Sequence, residues 1–182
     1  MSTPPETPGP AGPFARFRRD HRRVLAQLRE LERSTSGTHE EPRGEARLRD
    51  TLELLEGQFA THMTAEDAVL FPALAEAFPE SRATLAPLVA EHRDLRLMLA
   101  ALTQTMARPH GPARDEQLMV QTRDFVNLLR IHIGKEEHSV FDLAERVLRP
   151  EEARDLAHRL DSCFPHSSRG VREGRRKGTS GS

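Results

Sequence analysis

Hydrophobic residues fall on one face of a helix along four long stretches of the chain. In the first stretch they are spaced by three, four or seven residues, at Phe14, Phe17, Val24, Leu28 and Leu31. Such spacing is typical of an amphipathic α-helix packed on a core. The pattern predicts helices over about residues 14–33, from about residue 45 to a kink or an end near Pro72, over 81 or 84 to 107 and over 113–148, and a short helix after Pro150.

Segments rich in glycine, proline and small polar residues separate these stretches. They read "STSGTHEEPRG", "FPESRAT" and "RPHGP", and such clusters favour turns. No stretch alternates apolar and polar residues with the period of two that a strand requires. Connections of about six to eleven residues between long helices favour antiparallel neighbours. The predicted fold is all-α: an up-down-up-down antiparallel four-helix bundle with a short C-terminal helix.

The two ends of the 182-residue chain differ in composition from its centre. The opening "MSTPPETPGPAGP" and the closing "SSRGVREGRRKGTSGS" are rich in Pro, Gly, Ser and Arg. They contain too few apolar residues to bury a core of their own. We therefore expect a disordered segment over 1–13, the bundle over 14–164 and a disordered basic tail over 165–182.

Charge and composition indicate which cellular compartment and which classes of partner to expect. The net charge is −1, so no overall positive field attracts nucleic acid. The single cysteine, Cys163, excludes an internal disulfide and fits a reducing compartment. The longest apolar run, "LMLAAL", is far shorter than the roughly 20 residues that span a bilayer, and no secretory signal is visible. We expect a cytoplasmic protein with no membrane partner and no specific nucleic-acid partner.

One ten-residue pattern occurs twice. "HMTAEDAVLF" begins at His62 and "HIGKEEHSVF" begins at His132, 70 residues later, and each has Glu four residues after its first His. A shorter pattern also recurs, since "DHRRVL" contains His21 and "EHRDLR" contains His92, 71 residues later. The chain therefore contains one helical hairpin written twice, with a His on its first helix and HxxxE on its second.

The repeated residues predict a metal site inside the bundle. Residues four apart are neighbours on a helix face, and the helix lengths bring all four histidines to a similar height. Left unpaired in a core, each polar group would cost several kcal/mol, and two carboxylates would repel each other. Imidazole and carboxylate suit Fe, Mn, Zn or Cu, and six ligands exceed what one tetrahedral ion takes. The predicted ligands are His21, His62, Glu66, His92, His132 and Glu136.

Four further acids are next to these ligands in the sequence. They are predicted to supply charge or to orient the imidazole N–H groups: Asp20, Asp67, Glu91 and Glu137. Glu137 is also an alternative ligand to Glu136, because it follows His132 by five residues.

The remaining histidines and the large aromatic residues have simpler interpretations. A lone histidine is more often structural than a ligand. Surface positions are predicted for His39, His110, His158 and His166, and a direction away from the site for His138. Core positions are predicted for Phe59, Phe71, Phe125 and Phe141.

The arrangement resembles the hemerythrin HHE cation-binding domain family. The resemblance covers about residues 14–148 and includes "AEDAVLFPAL", which matches the acidic-then-LFP signature of the family. It implies a four-helix bundle around a non-haem centre of two iron ions, bridged by carboxylates and an oxo group. It also implies a small diatomic or peroxide ligand.

Two positions differ from the oxygen-carrying members of that family. Arg96 stands where a carrier has another histidine, and Glu136 gives HxxxE where a carrier has HxxxxD. The pattern is closer to the four-His, two-Glu members, which resemble bacterial iron-centre repair proteins and sensing domains. The resemblance therefore implies a protein that binds or senses O2, NO, peroxide or iron. The alternative is an enzyme-like role in peroxide or NO detoxification or in iron donation for iron–sulfur cluster repair.

Overall fold

The computed structural model describes residues 14–36 and 42–164, and the regular structure within these ranges is entirely helical. The α-helices are α1 (Ala15–Ser36), α2 (Pro42–Ala65), α3 (Phe71–Ala77), α4 (Arg82–Met106), α5 (Pro112–Lys135), α6 (Asp142–Val147) and α7 (Pro150–Ser162). π-Helical segments at Glu66–Leu70 and Glu136–Phe141 join α2 to α3 and α5 to α6, and a 3-10 turn, Pro79–Ser81, precedes α4. No helix in these ranges is long and apolar enough to cross a membrane.

The observed helices agree with the hydrophobic pattern. Counting the joined segments as continuous rods gives four long helices and the short C-terminal helix α7. The all-helical prediction is therefore confirmed, and α7 is the short helix predicted after Pro150. The predicted disordered segments, 1–13 and 165–182, lie outside the described residues.

Two prolines lie within the long helical rods. The second rod continues through Pro72 to Ala77, and its α-helical pattern is interrupted just before the proline by the π-helical segment. Pro87 is the sixth residue of α4. Pro87 and Ala83 are exposed, so the carbonyl that loses its amide donor lies on the solvent side of the helix.

The long helices contact one another in a closed ring. Helix α1 packs on α2 and on α5, and α4 packs on α5 and on α2. Helix α7 lies against the first π-helical segment. This arrangement is a helical bundle in which each long rod has two long neighbours.

The bundle contains two separate apolar clusters. The four phenylalanines predicted as core residues are all buried, and each fully buried side chain of this kind contributes roughly 1.5–3 kcal/mol. The first cluster includes Val24, Leu28, Leu52, Leu55, Phe59, Leu95, Leu99, Phe125 and Leu129. The second includes Phe14, Phe17, Leu70, Phe71, Leu88, Val140, Phe141 and Leu156.

Candidate metal centre

Each first-helix histidine occupies one place in an apolar stripe. On α1, His21 follows Phe17 by four residues and precedes Val24 by three, and α4 repeats this spacing around His92. Phe17 and Val24 belong to different apolar clusters. Because stripe positions face the core, the imidazoles are held between the two clusters and away from solvent.

The six predicted ligands are all buried, with at most 3 % of any residue exposed. Four helices supply one histidine each, and each π-helical segment supplies a glutamate as its first residue. The residues are His21 from α1, His62 from α2, His92 from α4, His132 from α5, Glu66 from the first π-helical segment and Glu136 from the second.

The histidines form two pairs that meet through their Nε2 atoms. In the first pair, His21 Nε2 lies 2.9 Å from His62 Nε2. In the second pair, His92 Nε2 lies 2.9 Å from His132 Nε2. All four Nε2 atoms therefore point inward, leaving the Nδ1 atoms on the outer side of each ring.

Each glutamate reaches both pairs. Glu66 Oε1 lies 3.1 Å from His62 Nε2 in the first pair, and Glu66 Oε2 lies 3.5 Å from His92 Nε2 in the second. Glu136 Oε2 lies 3.1 Å from an Nε2 atom of the first pair, and Oε1 lies 2.9 and 3.4 Å from the two Nε2 atoms of the second. The cluster thus divides into two sets, each with two nitrogens and one oxygen from each carboxylate.

Both glutamates begin a π-helical segment. In the first, the backbone N–H of Phe71 donates to the carbonyl of Glu66, five residues earlier. Pro72 and Asp142 are equivalent positions of the repeat, since each follows the histidine of its HxxxE motif by ten residues. The first π-helical segment is therefore followed closely by a proline, and the second is not. Proline is therefore not common to the two segments, whereas the HxxxE residues are. π-Helical turns occur frequently at functional sites.

Three of the four imidazoles also contact a carboxylate through Nδ1. The carboxylates are three of the acids predicted to orient imidazole N–H groups, and their side chains are between 15 and 32 % exposed. Such contacts fix the ring and its tautomer and make Nε2 a better ligand. They are His21 Nδ1 to Glu137 Oε1 at 3.1 Å, His92 Nδ1 to Asp67 Oδ1 at 2.7 Å and His132 Nδ1 to Glu91 Oε2 at 3.0 Å.

The fourth imidazole, that of His62, makes no such contact through Nδ1 within the described part of the chain. His62 Nδ1 is buried and has no hydrogen-bond partner among the described residues. Asp20, the fourth predicted acid, instead pairs with Arg23 on its own helix, with Oδ1 3.5 Å from Nη1. Asp20 still acts on His62 electrostatically, because its charge raises the pKa of that imidazole against the larger lowering caused by burial.

The two adjacent acids of the second HxxxE motif, Glu136 and Glu137, lie in different surroundings. Glu136 is fully buried among the Nε2 atoms, whereas Glu137 lies on the outer side of the His21 ring. Arg96 also lies on the outer side: its Nη2 donates to Asp67 Oδ2 at 2.9 Å, and its side chain is 41 % exposed.

The other predicted positions agree with the described residues. His110, His138 and His158 are exposed, and His39 and His166 lie outside those residues. Two core phenylalanines also cover the site, which the sequence did not indicate. Phe141 stacks on His21 with 5.6 Å between ring centroids, and Phe71 stacks on His92 at 5.5 Å.

Burial and charge shift the pKa values of several side chains in the cluster. Burial raises the pKa of Glu66 well above its ordinary value, and the charge of Glu136 raises it further. Burial also acts to raise the pKa of Glu136, but the close imidazoles of His132, His21 and His92 hold it well below the ordinary value. Burial acts to lower the pKa of His132, but contacts with Glu136 and Glu91 raise it to about 9.

The cluster fits a bound cation. All four carboxylate oxygens of Glu66 and Glu136 are buried, and none accepts a hydrogen bond of good geometry from the described residues. Donor atoms 2.9–3.5 Å apart have the separation of adjacent ligands around an ion with bonds of roughly 2.1 Å. The two compact groups are His21, His62, Glu66 and Glu136, and His92, His132 and Glu136. Nitrogen and oxygen donors without thiolate suit iron, manganese, zinc or copper.

A buried His and Glu cluster of this kind inside a helical bundle defines a metal-binding bundle protein. The family described as "Hemerythrin HHE cation binding domain" matches residues 12–144. The chain therefore belongs to the hemerythrin HHE cation-binding family, as its repeated motifs predict. Comparison with curated proteins and with solved structures gives no match.

Proposed function

We propose that the protein holds two iron ions, one at each histidine pair, with Glu66 and Glu136 each spanning both. The observation that carries this proposal is that each carboxylate has one oxygen near the first histidine pair and the other near the second. Carboxylates whose two oxygens face different histidine pairs suit two ions better than one. Iron is chosen over manganese, zinc and copper because of the family to which the chain belongs.

The proposal includes an up-down-up-down course of the four long helices. The contacts between α1 and α2 support antiparallel directions, because His21 meets His62 while Gln27, further along α1, meets the earlier Gln58. The contacts between α4 and α5 support the same relation through His92 with His132 and the later Thr105 with the earlier Arg114.

Different groups of residues would have different roles in such a site. The inward Nε2 atoms and the two carboxylates bind, and the outer carboxylates hold the Nδ1 protons that orient three of the rings. Phe71 and Phe141 cover two of the rings and exclude water. Four protein donor atoms at each position are fewer than an octahedral ion takes, and bound iron would supply the binding of a small ligand there.

We therefore infer a protein that binds or senses a small oxidant (O2, NO or peroxide) or iron. A second candidate is an enzyme-like role in peroxide or NO detoxification or in iron donation. The partly exposed Asp67, Glu91 and Glu137 favour iron exchange, since they contact the ligand imidazoles and also reach solvent.

Anaerobic reconstitution with ferrous iron tests the proposal. About two irons per chain are expected by elemental analysis after removal of unbound metal, and rapid optical changes are expected with O2, NO or H2O2 in stopped-flow mixing. One iron or none after complete reconstitution would overturn the two-iron centre. Consumption of many equivalents of peroxide or NO per chain would favour the enzyme-like candidate, and transfer of iron to an apo iron–sulfur protein would favour donation.

A further inference from the structure

The outer hydrogen bonds of the cluster follow the internal repeat of the chain. His21 and His92 are equivalent residues in the two hairpins, and their Nδ1 atoms contact Glu137 and Asp67, which are also equivalent. Each of these carboxylates comes from the opposite hairpin. The repeat therefore extends beyond the Nε2 atoms to the groups that orient the rings.

The remaining two imidazoles break this symmetry. His132 Nδ1 contacts Glu91, at 3.0 Å, and the equivalent contact would join His62 to Asp20. That contact is absent, because His62 Nδ1 has no hydrogen-bond partner among the described residues. Three rings of the cluster are thus held from outside by a carboxylate, and one ring is not.

Three sequence differences between the hairpins account for the missing contact. Asp20 is one methylene shorter than its equivalent, Glu91. Glu91 is held in place by Lys135, whereas the equivalent of Lys135 is the buried Ala65, which offers no cation. Asp20 is drawn instead to Arg23, 3.5 Å away, and the equivalent of Arg23 on α4 is the acidic Asp94.

We propose that the two metal positions hold their ions unequally, and that the Asp20/Glu91 difference sets the inequality. The position at His92 and His132, where both rings are oriented by carboxylates, binds its ion more tightly. The position at His21 and His62 releases its ion first, because the His62 ring lacks that support. Loss of such an outer partner typically weakens metal affinity by about 10- to 100-fold. This inference rests on the proposed two-ion centre.

The consequence is a protein that exchanges one ion while keeping the other. The first pair is the exchangeable position, and the second pair keeps the bundle centre filled when metal is scarce. A half-loaded form with one retained ion is therefore an expected state of the protein, and it is distinct from both the empty and the full forms.

Chelation of the fully loaded full-length protein tests the inequality. Wild-type protein containing two irons is mixed with excess EDTA, and retained iron is measured over time by elemental analysis. Two phases of equal size are expected, with rates differing by about tenfold or more. Release of both ions in one phase would overturn the inequality alone, whereas failure to load two ions would overturn the proposed two-iron centre.

Two reciprocal substitutions identify the position that releases first. Asp20→Glu is expected to reach His62 Nδ1 and to slow the fast phase by about tenfold, bringing the two rates together. Glu91→Asp is expected to withdraw from His132 and to accelerate the slow phase by a similar factor. Asp94→Glu, an exposed change of the same kind on α4, is the matched control and should leave both phases unchanged. Two phases that respond to neither substitution would overturn the assignment, and circular dichroism verifies that each variant is folded.

Discussion

Glu136 and Glu137 are adjacent in the chain but lie on opposite sides of the imidazole ring of His21. Glu136 Oε2 lies 3.1 Å from Nε2, the inner nitrogen, and Glu137 Oε1 lies 3.1 Å from Nδ1, the outer one. A carboxylate on the inner side can bind metal, whereas one on the outer side acts only by orienting and polarising the ring. Substitutions of Glu136 and of Glu137 should therefore have different effects on metal binding.

At the level of single residues, we predict that Glu136→Ala loses most of both irons, because it removes one donor from each position. Glu137→Ala should still load about two irons but release the ion of the first pair about tenfold faster, because only the His21 ring loses its outer partner. Elemental analysis before and during chelation measures both effects. His110→Ala, at an exposed histidine, is the control. Full iron in Glu136→Ala together with loss in Glu137→Ala would show that Glu137 is the ligand.

At the level of the helices, Arg114 joins α5 to the end of α4. Its side chain is only 4 % exposed, its Nη2 donates to the carbonyl of Met106 at 3.0 Å, and its Nε donates to that of Thr105 at 3.4 Å. Nη2 also lies 3.2 Å from Glu45 Oε1 on α2. The last carbonyls of a helix have no partner within the helix, and this guanidinium donates to two of them and connects three helices.

Arg114→Ala is therefore predicted to destabilise the protein by about 2 kcal/mol, the range for hydrogen bonds that involve a charged group. Urea unfolding of the iron-free protein measures the change. Arg123→Ala removes an arginine from the same helix whose side chain is 70 % exposed, and it should change the unfolding free energy little. Iron content should stay at the wild-type level, because Arg114 is about 27 Å along α5 from His132. Equal urea midpoints for both variants would contradict the structural role of Arg114.

The helices and the coming together of the four histidines and two glutamates in the core could be predicted from the sequence, because both depend on periodicity. A side chain every three or four residues identifies a helix face, and each of the two HxxxE motifs places a His and a Glu on such a face. The π-helical turns at Glu66 and Glu136 were not predicted, because they shift backbone hydrogen bonds by one residue without changing the apolar pattern. The buried role of Arg114 was not predicted either, since its neighbours in the sequence do not reveal which carbonyls it meets.

The contact expected of Asp20 shows a different limit. By sequence, Asp20 and Glu91 are equivalent acids, each preceding a first-helix histidine. Whether such an acid meets an imidazole across the bundle depends on one methylene and on the neighbouring cations, Arg23 or Lys135. Distances of this size are set by the packed backbone, so the residue could be predicted from the sequence but its contact could not.

For the whole molecule, the metal site links two apolar clusters that otherwise remain separate. The site draws one histidine from each of the four long helices, so ions bound at both histidine pairs would together connect all four at the centre of the bundle. A ligand that binds only the folded state stabilises it by about 4 kcal/mol when its free concentration is 1,000 times the dissociation constant. For a chain of this size that corresponds to a rise of roughly 10 °C in Tm.

The stabilisation by iron is predicted to grow as pH rises from about 6.5 to about 9. In the iron-free protein, the pKa of His132 is raised from 6.5 to about 9, so its stabilising contribution is complete below 6.5 and is lost as pH rises through 9. The raised pKa of Glu66 acts in the same direction, whereas His62, whose pKa is lowered, titrates below this window. Bound iron takes the place of these protons, so the Tm of the loaded protein should change little while that of the iron-free protein falls. Thermal unfolding of both forms across this range measures the gap, and a gap that narrows with rising pH would contradict the prediction.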